Sequence, residues 1–263
     1  MINILFRRTY DTEDEEQIAK VYFPIVNYRS EIAAGSLVIP RYSSLPFYKE
    51  LETDITNCGS RLIQSYEQHK YIADFSYYKD IKDYTFESWL LGDYNIPDIP
   101  LVVKGKTNSK KWNWKQSMFA PNKIAAIKIA TELSCDGLIS SQEIVLRKYE
   151  ELMPLEVGIN GLVFAKEYRF FYLNNNCIGS GFYWSIADDS VVEENKNIPN
   201  EAIVLANTIS KIVSKHTAFY VIDVAQKKNG DWICIELNCG TMSGLSCVDA
   251  HQFYGKLKTL LDE

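Results

Sequence analysis

What this chain has little of narrows the field first. Its 263 residues hold six cysteines and three histidines. The cysteines (Cys58, Cys135, Cys177, Cys234, Cys239 and Cys247) never fall at C-x-x-C spacing. A thiolate zinc site or a disulfide framework is therefore excluded as the organising element, and we expect reduced, mostly buried small hydrophobes. His69, His216 and His251 lie far apart and group with no nucleophile, so packing or surface roles are expected for them. No apolar run approaches the roughly 20 residues that cross a bilayer, and the first eight residues lack the layout of a secretory leader. The expectation is a cytoplasmic protein with no membrane partner. Positive charge is also short: 28 Lys and Arg against 34 Asp and Glu leave a formal net charge of −6. Nucleic acid is thus not expected as the main partner, because neutralising phosphates takes a basic surface. Disorder is excluded by the opposite feature, 46% hydrophobic residues, enough for one large domain or two modest ones.

The most informative part of what is present is a pair of alternating runs, 221–225 and 232–238, joined by a polar stretch containing Asn229-Gly230. Asn-Gly between such runs signals a β-hairpin, because a two-residue type I′ turn needs φ > 0 at both central positions. With those two residues as the turn, Asp223 opposes Glu236 and Asn238 falls on the same face, while Ile222, Val224, Ile235 and Leu237 fall on the other. Two carboxylates facing each other repel unless a cation lies between them, and an all-oxygen set suits a hard ion such as Mg²⁺. A solvated hairpin edge is the alternative. The loop that follows, Cys239-Gly240-Thr241-Met242-Ser243-Gly244, adds backbone N–H groups that can meet an anion, which makes Ser243 and Gly244 candidate substrate contacts.

The rest of the chain reads as mixed α and β. Strands are expected at 2–6, 37–39 and 61–63, with a helix over 46–57 closed by Cys58-Gly59; this is a small parallel α/β unit. Arg41 then follows a strand and precedes a helix, where it is either an anion contact or stacked on Tyr42. The turn-rich stretch 91–100 suggests a boundary, giving a first domain of residues 1–97 and a second of 98–263. In the second, strands are expected at 101–103, 144–149, 162–164, 168–173 and 178–184. Helices are expected over 121–133 (amphipathic, its apolar face marked by Ile124, Ile127 and Leu133), 201–214 (Ile203, Ala206, Ile209, Ile212 and Val213 inward) and 248–261.

Further candidates lie along this second domain. Lys104 sits at a strand end, and beyond it Lys110, Lys111 and Lys115 alternate with Trp112 and Trp114. Lysines there suit phosphate oxygens; a single-stranded nucleic-acid surface and a plain solvated loop are the other readings. Glu167 and Arg169 share one strand face, as a simple ion pair or as a site in which arginine stabilises charge on a transferred phosphoryl group. Residues 143–151, an apolar strand ending in charges, could lie against a planar base.

In this order the pieces resemble the ATP-grasp ligase superfamily: a strand-end lysine, a basic loop, a hinge strand, Glu-x-Arg, then Asp followed by Glu-Leu-Asn. The match covers roughly residues 100–250, and Arg41-Tyr42-Ser43-Ser44-Leu45-Pro46 resembles a divergent branch found in bacteria and large viruses. The resemblance implies an α+β fold of antiparallel sheets and helices, preceded by a small α/β domain, with a hinge near 146–151. It implies ATP and Mg²⁺, the metal on Asp223, Glu236 and Asn238. Lys104 with Lys110, Lys111 or Lys115 would meet the phosphates, and Arg169 the γ-phosphate. Arg147, Tyr149, Glu150 and Glu151 would line the nucleoside pocket, with Glu167 beside them. Departures are the absence of a Gly-rich turn after Lys104 and of Pro-Gly after Asn238. The expected activity is carboxylate–amine ligation through an acyl phosphate, on small-molecule or peptide substrates. A small-molecule kinase and a nucleic-acid-binding protein using the Lys/Trp loop are the alternatives.

Overall fold

The computed structural model describes residues 1–7 and 13–263. The chain opens with β1 (Ile2–Phe6), α1 (Glu13–Ala19), β2 (Ile25–Val26), β3 (Leu37–Arg41), α2 (Tyr48–Asn57) and β4 (Arg61–Leu62). These strands form a parallel sheet in the order β2-β1-β3-β4, with Ile4 opposite both Ile25 and Ile39. Every residue of β3 is buried, as expected of a parallel strand covered on both faces. Gly59, at φ 72°, ends α2 in the left-handed conformation that glycine adopts without steric cost.

Next come α3 (Tyr66–Ala73), α4 (Tyr78–Ile81), β5 (Ser88–Leu90), β6 (Leu101–Gly105), α5 (Trp114–Ser117), β7 (Phe119–Ala120), α6 (Lys123–Leu133) and β8 (Ile144–Lys148). The second sheet is antiparallel, ordered β5-β8-β6-β7. Ser88 pairs with Arg147 and Leu90 with Val145, so hydrogen bonding runs across the boundary read at residue 97. α6 covers this sheet with Ala126, Ile129, Ala130 and Leu133, while Ile124 and Ile127 face solvent. This corrects the expected apolar face: the two alanines let the helix approach the sheet closely, and that turns the isoleucines outward.

The chain finishes with β9 (Pro154–Val157), β10 (Val163–Ala165), β11 (Glu167–Leu173), β12 (Asn176–Phe182), α7 (Asp189–Glu194), α8 (Asn200–Val213), β13 (Phe219–Gln226), β14 (Trp232–Cys239) and α9 (Ala250–Asp262). The third sheet is antiparallel, β12-β11-β13-β14. One face holds Phe170, Tyr172, Tyr220 and Ile222 against α8 and the residues of α3 and α4. Its other face sets Phe171, Leu173, Phe219 and Val221 against α9 and the first sheet. Ala202, Ala206, Ile209 and Val213 form the buried side of α8, and Ile203 is 37% exposed.

The β13–β14 hairpin corrects its predicted turn. Gln226 pairs with Trp232, Lys227 N–H reaches the Asp231 carbonyl at 2.7 Å, and Gly230 has φ 96°. The turn therefore has three central residues, Lys228-Asn229-Gly230, with glycine alone at positive φ. That arrangement by itself would place Ile235 opposite Asp223. A register shift between Asp223 and Val224 leaves Ile235 as the extra residue and brings Glu236 opposite Asp223 after all. The cysteines are all free; Cys234 and Cys239 are buried, whereas Cys58 and Cys135 are exposed, against the expectation of general burial.

Candidate functional site

A cleft of about 270 Å³ lies between the second and third sheets. Lys104 enters it from the end of β6, Arg147 from β8, Glu167 from β11 and Glu236 from β14. Tyr149, Glu150 and Glu151 line it just past β8, and Ser109, Lys111 and Trp114 reach it from the loop between β6 and β7. Its apolar wall is not among the sequence candidates: Met118, Leu152, Pro154, Leu162, Ala165 and Trp184 surround a slot fit for a flat ring. The signal that could have found it is Leu-x-Pro at 152–154 with Ala165, short apolar residues beside a hinge.

Charge is concentrated at the inner end. Lys104 Nζ donates to Glu236 Oε2, and Lys111 Nζ lies 3.9 Å from Glu236 Oε1. Burial alone would raise the Glu236 carboxyl, but Lys104, Lys111 and Arg147 outweigh it and hold that carboxyl well below the usual range. Arg147 anchors one NH group on the Ile235 carbonyl, the extra residue of the bulge, so the register shift also sets the position of this arginine. Glu167 sits 2% exposed with its pKa pushed up to about 8, by burial first and by Asp223 and Glu236 next. Three buried polar atoms of cleft-lining residues have no partner: Arg147 NH2, Glu167 Oε1 and Trp184 Nε1. Unpartnered polar atoms of this kind cost about 1–3 kcal/mol each.

Behind the cleft, Arg169 grips Asp223 through two parallel hydrogen bonds of 2.9 and 2.8 Å and donates to the Gly244 carbonyl at 2.8 Å. Asn238 Nδ2 donates to Asp223 Oδ2 at 3.2 Å. Asp223 is wholly buried, so this charge is stable only because it is paired and hydrogen-bonded.

Other sequence candidates lie away from the cleft. Lys110 pairs with Asp136 at 2.6 Å and lies over the Trp112 ring, on the far side of its loop. Arg41 spends its donors on Glu15 at 2.7 Å, on the Gly240 carbonyl and on the Ser243 carbonyl at 2.8 Å. It thus ties the loop after β14 to the first domain. Ser243 Oγ donates to the Cys239 carbonyl, and Gly244 offers its carbonyl to Arg169.

Among the described residues, no three His, Cys, Asp or Glu side chains gather into a group that could hold a metal ion. The donor chemistry around Glu236 nevertheless fits a hard divalent cation. Its carboxylate opposes that of Asp223, and Asn238 follows two residues on. Lys104, Lys111 and Arg169 now supply the counter-charge that a cation would share.

Comparison with solved structures shows the fold. The fold is similar to that of D-cycloserine synthetase DcsG (TM-score 0.64, 12% identity, 99% of this chain and 100% of the other). It is also similar to D-alanine–D-alanine ligase from Bacillus anthracis complexed with ATP (TM-score 0.57, 12% identity, 99% and 97%). A third likeness is the ATP-grasp ligase PsnB complexed with minimal precursor, Mg and ADP (TM-score 0.57, 10% identity, 100% and 98%). The fold is therefore ATP-grasp. No curated protein matches the sequence. The chain belongs to the ATP-grasp domain family of the R-2-K clade, family 3, whose pattern matches residues 90–257, more than half of its length.

Proposed function

We propose that this protein is an ATP- and Mg²⁺-dependent carboxylate–amine ligase. The observation that carries the reading is the inner end of the cleft, where Lys104, Lys111 and Arg147 converge on Glu236 beside an apolar slot. That combination suits a nucleotide with its base in the slot and its phosphates among the cations. Tyr149, Glu150 and Glu151 line the base and ribose end, and Glu167 lies at the charged end near Lys111 and Glu236.

The chemistry then divides between positioning and charge neutralisation. A substrate carboxylate oxygen attacks the γ-phosphorus, the bond to the bridging oxygen breaks, and ADP leaves. An amine then attacks the acyl carbon, phosphate leaves, and the amine gives up a proton as the amide forms. Lys104 and Lys111 neutralise the charge that builds on the transferring group. Mg²⁺ on Glu236, Asn238 and Asp223 would supply further charge neutralisation. Arg169, locked by Asp223, fixes the carboxylate that faces Glu236. No side-chain nucleophile is needed for either step. The neighbours' small-molecule products and precursor peptide support both small and peptidic substrates for this chain. No helix among the described residues is long and apolar enough to cross a membrane, and a cytoplasmic setting suits an ATP consumer.

Thermal unfolding of wild type and Glu236→Gln with and without ATP plus Mg²⁺ tests the reading. Ligand at about 100 times its Kd stabilises the folded state by about 2.7 kcal/mol, which moves the midpoint by several degrees in the wild type. The same addition should move Glu236→Gln little. Release of ADP and phosphate with an amide product then separates a ligase from a kinase. An unmoved wild-type midpoint would sink the nucleotide reading.

A further inference from the structure

The basic loop between β6 and β7 reaches across the cleft to the third sheet. Lys111 Nζ donates to the Tyr183 hydroxyl at 2.7 Å and lies 4.4 Å from the centroid of that ring. The guanidinium of Arg169 lies 4.6 Å from the same centroid. Further along, the Asn160 side chain donates to the Trp112 carbonyl, and a Cβ added at Gly161 would come within 2.5 Å of Lys115 Cε. The loop is thus seated both on Tyr183 and on the turn between β9 and β10.

We propose that Tyr183 is a positioning residue that holds Lys111, and with it the loop 106–117, over the charged end of the cleft. The inference rests on the nucleotide reading and adds to it a residue that does not itself line the cleft. Its physical basis is the contrast between the charged and the neutral anchors of Lys111, the neutral ones being Tyr183 and, 5.4 Å away, the ring of Trp184. Glu236, 3.9 Å away, is shared with Lys104, and any bound cation competes for it. The hydroxyl and π-face of Tyr183 are neutral, so their attraction for the ammonium persists whatever occupies Glu236. The ring is itself placed by Arg169, which Asp223 and the Gly244 carbonyl hold rigid. A chain of contacts Asp223–Arg169–Tyr183–Lys111 therefore references a loop on one side of the cleft to the sheet on the other.

The test combines tryptic cleavage of the native, nucleotide-free protein after Lys110 and Lys115 with calorimetric titration of ATP plus Mg²⁺. The proteins are wild type, Tyr183→Phe, Tyr183→Leu, Lys111→Met and the Tyr183→Leu/Lys111→Met double variant. Tyr183→Leu and Lys111→Met should each speed cleavage and weaken ATP binding by about tenfold, and the double variant should be no worse than either. Tyr183→Phe, which keeps the ring and loses only the hydroxyl, should fall between wild type and the leucine variant with its melting midpoint unchanged. Equal cleavage rates in wild type and Tyr183→Leu, or additive effects in the double variant, would overturn the proposal. Should the leucine variant not fold, the phenylalanine variant decides alone: unchanged cleavage overturns it. Failure of the wild type to bind ATP would strike the functional reading, and the cleavage result would still judge the role of Tyr183.

Discussion

Glu167 concentrates the electrostatics of the cleft in one side chain. It is a carboxyl with an unpartnered oxygen, buried among Lys111, Asp223, Glu236 and Arg169. With its pKa raised from 4.5 to about 8, the folded state holds a proton that the unfolded chain has already released over most of that interval. Stability attached to this group is accordingly complete below about pH 4.5 and is lost as pH rises toward 8. Glu167→Gln, which mimics the protonated form, should remove the trend. Melting curves from pH 5 to 8.5 should show wild type falling behind the variant by roughly 2–4 kcal/mol at the alkaline end; parallel curves would mean that Glu167 is ionised throughout. Cations neighbouring Glu167 work the other way, so added polyphosphate should strengthen the trend by drawing Lys111 toward itself.

At the scale of elements, the β13–β14 hairpin shows what a local pattern can and cannot reveal. The facing of Asp223 and Glu236 was legible from the alternating runs, yet the turn has one more residue than the Asn-Gly signal implied and the bulge at Ile235 compensates. Bulges answer to tertiary demands, here the seating of Arg147 on the Ile235 carbonyl, and leave no local mark. Gly230 alone holds positive φ in that turn, so Gly230→Ala should cost about 1 kcal/mol in denaturant titration while leaving ATP affinity untouched. A loss of affinity would show that the turn and the cleft are coupled. Strands β1, β3, β6, β8 and β11 and helices α2, α6, α8 and α9 were readable because each carries a clear period or cap. The segment Tyr66–Leu90 was not. Its rings serve the cores of two sheets at once, so neither helical nor strand spacing dominates. The cleft's cations were readable as residue types, but Arg41 and Lys110 show that type does not fix direction: each spends its charge on a neighbouring acid.

For the whole molecule, a net charge of −6 coexists with a cleft whose inner end is cationic, an arrangement that draws a polyanion to one place and repels it elsewhere. The family match begins at residue 90, yet α3, α4 and the residue that precedes α4 supply Tyr71, Ile72, Ile81 and Tyr77 to the core of the third sheet, and β5 closes the edge of β8. A fragment of residues 90–263 should therefore elute as aggregate in size exclusion, with one edge of β8 unpaired and an aromatic face uncovered; a monomeric peak with native circular dichroism would contradict this. The pairing of Ser88 with Arg147 has a mechanical consequence as well. The second sheet is joined covalently to the rest of the molecule at two points, before Ser88 and after Lys148, whose N–H bonds the Glu87 carbonyl at 2.8 Å. Both threads pass side by side, and each is fastened on the far bank, through Thr85 to the Cys234 carbonyl and through the bridge of Leu152 with Lys227. A body hung from two adjacent points keeps one easy degree of freedom, rotation about the line through them, and the rim opposite that axis travels farthest.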